Sequence, residues 1–420
     1  VGSEMCIRDS GKGILVNRYT NTILYPQLRK VGMDIKFKVS GFNFYGFTND
    51  FKENLGLTGF RVSKNIINGI NIGGSLVADR NQYLGLRDSD NDGRPDLVDD
   101  FPDDPLYWLD TDGDGIADVD PNELDIDGDG VTDTLDSNIP GWDLDSIYVL
   151  DTDIMRKPEP LNVQNRKRSI YAVSLDASKT ILAESNMSVS IYAQFASLIG
   201  KTVDPISAEE VSLGNGFIPF GLSTKLGPAR FKFEYRMMPS GKFEFGYWDR
   251  SYEIERATFS SSFMNDNSGL RTGEIITKDS RLGKFGKQKG YFSTLSIDLG
   301  EMVGASMSYQ NLFGEQWNEN ENNFNNDRNQ SFIAGIRLKK PISKITNARW
   351  YYQQRNVPNP FDFEFTESTI SGYRVGIKLG NGMILNYIFR QSFRDIDGDG
   401  KVNGKDETIN MTSIETSFSF

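Results

Sequence analysis

Outside one acidic stretch, the chain alternates between apolar and polar residues. In 229–238, Phe231, Phe233, Tyr235 and Met237 alternate with Arg230, Lys232, Glu234 and Arg236. In 187–199, Val189, Ile191, Ala193 and Phe195 alternate with Ser188, Ser190, Tyr192 and Gln194. In 31–39, Met33, Ile35, Phe37 and Val39 alternate with Asp34, Lys36 and Lys38. Around 330–339, Phe332, Ala334, Ile336 and Leu338 keep the same beat, with Ile333 out of phase. A period of two places one face of a strand in apolar surroundings and the other in polar ones. No stretch carries a helical period over a helical length. The pattern predicts strands at 12–19, 31–39, 42–49, 58–63, 69–80, 168–177, 187–199, 213–225, 229–238, 290–299, 302–314, 330–339, 345–355, 371–380, 382–394 and 408–420.

Short turns such as LGPA (226–229), KKPIS (339–343) and LGNG (379–382) alternate with long polar connections at 81–167, 239–289, 315–329 and 356–370. Short turns on one rim and long loops on the other predict an all-β fold: an antiparallel transmembrane β-barrel of about 16 strands, within a range of roughly 14–18. A soluble sandwich needs turns at both ends every 8–12 residues or so, and a solenoid needs a fixed repeat. The final strand, TSIETSFSF, carries Ile414, Phe418 and Phe420 on one face and Ser413, Glu415, Ser417 and Ser419 on the other. It resembles the C-terminal signal strand of Gram-negative outer-membrane proteins. That resemblance implies recognition by the barrel-assembly machinery, a bacterial outer-membrane location and lipid as the surrounding medium. Counting back from Phe420 at a periplasmic rim puts the three short turns on that rim and the long loops outside. The loop 239–289 then has to be one excursion, with its own hairpin expected around FEFGYWDRSYEIE.

The acidic stretch changes the picture. Residues 88–153 hold 23 acids and one base, Arg94, whereas the remainder holds 35 acids and 45 bases. Such a block repels itself and nucleic acid alike, so nucleic acid is excluded as its partner. Three copies of D-x-D-x-D-G-x-x-D lie within it. The candidate ligands are Asp88, Asp90, Asp92, Asp96 and Asp99 in the first copy and Asp110, Asp112, Asp114 and Asp118 in the second. The third copy supplies Asp125, Asp127, Asp129, Asp133 and Asp136. Carboxylates at every second position of a tight loop converge on one hard cation, and the glycine permits the turn; this pattern suits Ca2+ better than magnesium. Position twelve is Pro121 in the second copy, where Asp120 or Glu123 could substitute. A fourth copy, DIDGDGKVNGKD, offers Asp395, Asp397, Asp399, Asn403 and Asp406. The segment 88–136 resembles thrombospondin type 3 repeats without their cysteines. The resemblance implies calcium as the cofactor and a stiff rod when calcium is bound.

Composition narrows the chemistry. With no histidine and one cysteine, Cys6, a His-based triad, an imidazole zinc site and an internal disulfide are excluded. Lys36, Lys38, Arg230, Lys232, Arg236, Arg337, Lys339, Arg349, Arg355, Arg374, Lys378 and Arg390 fall on polar strand positions. A lumen lined by them favours small anionic solutes, unless acidic loop residues fold inward and neutralise them. Tyr45, Phe47, Trp248, Tyr291, Trp350, Tyr351 and Tyr352 suit interfacial girdles. The opening VGSEMCIRDS reads as non-native sequence, so residues 1–10 are set aside and the export signal is expected to lie outside this chain. The organisation expected is 11–80 and 168–420 as barrel, with 81–167 as an extracellular insert. The function expected is a porin-like or structural surface barrel rather than an enzyme. The alternative is a secreted or surface-attached calcium-dependent adhesion module.

Overall fold

The computed structural model describes residues 11–23, 30–66, 69–128, 130, 132, 156–164, 166–263, 271–318, 321–362, 364–380, 382–393, 402, 405 and 407–418. In chain order the strands are β1 (Met33–Val39), β2 (Phe42–Thr48), β3 (Leu57–Asn65), β4 (Ile70–Asp79), β5 (Ile170–Ala183), β6 (Met187–Ile199), β7 (Lys201–Val203), β8 (Glu210–Ser212), β9 (Asn215–Leu226), β10 (Ala229–Met238), β11 (Ala257–Phe263), β12 (Arg271–Thr277), β13 (Phe285–Leu299), β14 (Val303–Asn318), β15 (Asn323–Leu338), β16 (Ile345–Val357), β17 (Ile370–Gly380), β18 (Met383–Phe393) and β19 (Thr408–Phe418). Fifteen of them form one antiparallel sheet in which every strand pairs with its neighbours along the chain. The pairs β7–β8 and β11–β12 stand apart as small hairpins. Among the described residues no ladder joins β1 to β19.

The connections obey strict parity. The links 40–41, 66–69, 184–186, 227–228, 300–302, 339–344 and 381–382 share one rim, and the long connections, including 80–169 and 239–284, share the other. Each segment expected from alternation is a strand of the sheet except 12–19. That segment carries three consecutive apolar residues, Ile14, Leu15 and Val16, all fully buried, and shows strand geometry as isolated bridges rather than a strand, among them one from Val16 to Trp248. A run that is apolar all round cannot serve a sheet with one polar face, so it packs inside. The stretch 315–329, expected as loop, instead extends β14 and β15 into a long hairpin in which Trp317 pairs with Phe324. It is polar on both faces, so alternation could not reveal it, but a backbone ladder needs no apolar residue.

The strand faces are inverted relative to a water-soluble sheet. Met33, Ile35, Phe37 and Val39 are all exposed, as are Leu175, Leu295, Ile336 and Ile414. The opposite face carries Ser75, Asp176, Gln194, Glu234, Arg236, Gln310, Asn386 and Arg390, all buried. Burial of this inner face concentrates toward the long-loop rim: in β5 the alternation of buried and exposed residues runs over 170–176 and is lost over 178–183.

Two segments fill that end of the interior. Residues 14–17 and 246–248 bond backbone to backbone, with the Gly246 amide donating to the Ile14 carbonyl at 2.8 Å and the Asn17 amide to the Trp248 carbonyl at 3.0 Å. Tyr19, Phe243, Phe245, Tyr247, Trp248 and Tyr252 pack with inward residues Leu57, Val77, Ile170, Leu198, Ile218 and Leu312 in one cluster. Gly216 on β9 leaves the room: a Cβ there would lie 2.1 Å from the Phe243 ring. The expected hairpin around 243–255 is thus this inward plug, and the hairpin of the loop is β11–β12. Trp248 and Phe47, expected at an interfacial girdle, are buried inside, whereas Tyr291 and Trp350 are exposed.

Charges tie the plug to strands far apart in the sheet. Arg256 bonds Asp79 of β4 at 2.7 Å and Glu53 at 2.8 Å; Tyr252 donates to Asp79 at 2.5 Å. Lys30 bridges Glu253 at 2.6 Å and Glu53 at 2.5 Å, and Tyr19 donates to Glu253. On the far side, Arg355 of β16 meets Glu244 at 2.8 Å and Asp249 at 2.5 Å, while Gln353 donates to Asp249 at 3.0 Å. Strands β4 and β16 therefore touch one short segment, which requires the sheet to curl around it. Replacing one member of a buried ion pair leaves its partner uncompensated. Arg256→Met should accordingly cost about 3–5 kcal/mol, read as a lowered urea midpoint of the refolded chain; an unchanged midpoint would show the network to be unimportant for stability.

Candidate metal centre

The insert leaves the rim at Asn81, whose side chain accepts the Tyr83 amide at 3.2 Å, and returns at Arg168, whose carbonyl accepts the Gln82 amide at 2.8 Å. Arg168 also bonds Asp279 at 2.7 Å. Between these points, the first two repeats are built alike. Asp88 accepts the amides of Asn91 at 2.8 Å and Gly93 at 3.0 Å; Asp110 accepts those of Gly113 at 2.7 Å and Gly115 at 2.9 Å. Asp90 takes the Asp92 amide, as Asp112 takes the Asp114 amide. Asp92 and Asp114 take the amides of Arg94 and Ile116. The third repeat keeps the same bond where it is described: Asp125 accepts the Gly130 amide at 3.0 Å. Glycines 93, 113, 115, 128 and 130 all have positive φ, a conformation that is strained for a side chain with a Cβ.

This wrapping brings carboxylates together. Ligand atoms of Asp88, Asp90 and Asp92 lie within 4.8 Å of one another, as do those of Asp110, Asp112 and Asp114. The ninth positions behave differently. Asp96 turns to the amide and hydroxyl of Ser89 at 2.7 and 2.8 Å, and Asp118 turns to those of Thr111, both at 2.7 Å. In the second repeat Asp120 is held by Tyr107 and Asn122, and Glu123 accepts the Asp125 amide. Asp127 is described, but Asp129, Asp133, Asp136, Asp395, Asp397, Asp399, Asn403 and Asp406 lie outside the described residues.

The donor set suits a hard cation. Asp90 Oδ2, Asp99 Oδ2 and Asp125 Oδ1 are buried without a hydrogen-bond partner, an arrangement that is costly for a carboxylate. Burial pushes the Asp99 carboxyl up to about 6; a bond from the Phe101 amide opposes this, and the Asp92, Asp90 and Asp100 charges add to it. Burial also raises Asp88 and Asp112. The returning segment supplies the opposite charge and packing: Lys157 bonds the Asp110 carbonyl at 2.5 Å, Arg94 stacks on Trp108 at 3.7 Å, and Trp108 donates to Glu159 at 2.9 Å. A Cβ on Gly128 would lie 2.8 Å from Asp112 Cβ, so the third turn packs directly on the second.

Inside the sheet, acidic residues do meet the basic ones. Glu234 takes Lys232 at 2.7 Å and Arg236 at 2.6 Å, Asp176 takes Arg61 at 2.6 Å, and Asp298 takes Lys339 at 3.2 Å. The plug acids Glu244, Asp249, Glu253 and Glu255 join them. The sequence raised inward-folding loop acids as the alternative to an electropositive lumen but could not name these pairs, because their members are separated by up to hundreds of residues; the one local signal was the crowding of aromatic and charged residues in 243–256.

No protein-family model matches the chain, and neither does any curated protein. Among solved structures it is similar to the NanC porin, with 10% identity over 59% of this chain and 94% of that one and a TM-score of 0.23. It is also similar to the siderophore receptor PirA from Acinetobacter baumannii (9% identity, 90% of this chain, TM-score 0.31), spanning 49% of that chain. A third is the toluene transporter TbuX from Ralstonia pickettii, with 8% identity over 87% of this chain and 83% of that one and a TM-score of 0.25. These superpositions are too loose to carry fold or function across.

The raised Asp99 sets a pH dependence for the metal-free insert. The folded form binds its proton up to about pH 6, whereas an unfolded Asp releases it near 3.9 or so. The folded state then binds more protons across that window, so stability is greatest below about pH 4 and is lost as pH rises to about 6. Protease protection of the insert in chelator should fall over this range, and Asp99→Asn should flatten the profile.

Proposed function

We propose that the chain is an outer-membrane β-barrel, closed at its long-loop mouth by its own plug and extended outward by a calcium-stabilised rod. The single observation that carries this reading is the inversion of the strand faces. Large apolar side chains are exposed along strand after strand, while Ser, Gln, Glu and Arg are buried on the other face. Water would penalise a continuous apolar exterior of this extent. Lipid satisfies it, and in that medium the edges of β1 and β19, which share no ladder among the described residues, would have to close on one another so that no backbone group is left unpaired. Short turns on one rim and long loops on the other suit a periplasmic and an extracellular side. The alternating C-terminal strand suits the barrel-assembly machinery as the partner that inserts it. The filled mouth favours a plugged barrel over a freely open pore, and a role in transport or surface architecture over catalysis.

In the insert, Asp88, Asp90 and Asp92 would hold one calcium ion and Asp110, Asp112 and Asp114 a second, with Asp99 completing the first set. Bound calcium supplies the positive charge and the oxygen coordination that so many neighbouring carboxylates require. The same outward module suits the alternative reading, a secreted calcium-dependent adhesion protein, because its repeat loops are closed by hydrogen bonds within the insert.

Detergent separates the two readings. The refolded chain should migrate faster unheated than boiled, and should precipitate when detergent is removed. Leu175→Arg on the exposed face should cost roughly 2–4 kcal/mol in lipid. A chain that stays monomeric in buffer alone would exclude the barrel. For calcium, titration of the full chain should show at least two ions binding at about 10⁻⁴–10⁻³ M. Asp112→Asn with Asp114→Asn should remove one of them, and chelator should open the insert to protease. Equal cleavage with and without chelator would exclude the metal.

A further inference from the structure

Beneath the plug, on its short-turn side, two adjoining cavities share Asn17, Arg18, Phe292, Ser308 and Ile333. The lower one has a volume of about 210 Å³, room for an organic body, and the upper one about 30 Å³, room for little more than one small polar group. The upper one reaches Phe245, Arg250, Gln310 and Gln353. Most charges around them are matched. Arg236 and Lys232 share Glu234, and Arg355 is held by Glu244 and Asp249. Lys12, half-buried at the lower cavity, lacks an ion pair among the described residues; the buried exception is Arg250. It is 8% exposed and lines the upper cavity, with its guanidinium 4.8 Å from the Tyr351 ring centre. Among the described residues it makes no side-chain hydrogen bond and no ion pair. Its neighbour Asp249 is committed to Arg355, Gln353 and Ser251. Of the groups around it, Arg349 and Arg18 are of its own sign, while Tyr351 and Asp249 act against them.

A guanidinium this deeply buried, facing like charges, calls for an anion. Its planar fork matches a carboxylate, with two parallel N–H···O bonds. The rest of the wall is apolar at Phe245, Phe292 and Ile333, neutral-polar at Gln310, Asn17 and Ser308, and charged at Arg18, Arg236, Asp249 and Arg355. We propose that the two adjoining cavities form one binding site for a small organic carboxylate, with its carboxylate in the upper cavity on Arg250 and its apolar body in the lower one against Phe292 and Ile333. The proposal deepens the barrel reading and rests on it only for the route of entry, from the short-turn side. It does not require an open pore.

Isothermal titration of the full chain, refolded in detergent with calcium, tests it using benzoate, its uncharged analogue benzamide, and inorganic phosphate. Benzoate should bind at sub-millimolar concentration, with benzamide at least tenfold weaker because it offers no charge to Arg250. Phosphate should also be weaker, for want of an apolar body. Arg250→Met should weaken benzoate at least tenfold while leaving the heat-modifiable gel shift intact. If that variant fails to fold, Arg250→Lys keeps the charge and should retain the preference for benzoate over benzamide. Equal binding of benzoate and benzamide, no benzoate binding up to about 10 mM, or an unaltered affinity in Arg250→Met would overturn the site. Phosphate binding as tightly as benzoate would reduce it to a plain anion hole and overturn the organic ligand. A chain soluble without detergent would defeat the barrel and leave this titration standing.

Discussion

Everything in this protein depends on the inversion of its strand faces. A sheet whose outer face is Phe, Leu, Ile and Val and whose inner face is Ser, Gln, Glu and Arg cannot rest flat in water. Its apolar face needs an apolar medium, and its polar face needs partners. The sheet resolves the second demand by curling, so that strands as far apart as β4 and β16 reach the same segment. Ion pairs that would be worth little on a surface become structural there, because both members are removed from water.

The interior is filled unevenly, and that asymmetry gives the molecule two ends. Toward the long-loop rim, inward positions carry apolar residues such as Leu57, Ile170 and Ile218, which receive the plug. Toward the short-turn rim the inward residues stay polar and part-exposed, leaving the cavities below Phe245 and Arg250. The plug is held both by an apolar cluster and by carboxylates matched to Arg256, Lys30, Lys278 and Arg355. Its position is therefore specified by charge as well as by shape, and a shift of the segment would break several buried pairs together.

The insert works by the reverse arrangement. Its carboxylates are crowded rather than paired, and its backbone amides, turned inward by glycines with positive φ, satisfy one oxygen after another. Even so, the carboxylates of each loop stay within 4.8 Å of one another. Asp96 and Asp118 take no part in that crowding. They tie the second residue of each loop to its ninth, so within one motif the acids divide between fixing the loop and facing the cluster centre.

The alternation of residues by itself determined the sheet. A period of two dictates which face each side chain takes, and fifteen strands follow from it with the correct parity of turns. The D-x-D-x-D-G spacing likewise brings Asp88, Asp90 and Asp92 together, and Asp110, Asp112 and Asp114, because loop geometry of that kind is local, whereas Asp96 and Asp118 turn to Ser89 and Thr111. Neither pattern could place residues 11–23 or 243–256. Their apolar residues show no period, and their partners, Asp79, Glu53 and Arg355, are set by distant strands. The same holds for Arg250, which in sequence is one more polar loop residue after Asp249. Only the tertiary structure turned it into a buried cation beside a cavity, because burial and the sign of neighbouring charge are properties of the folded surroundings and not of the chain.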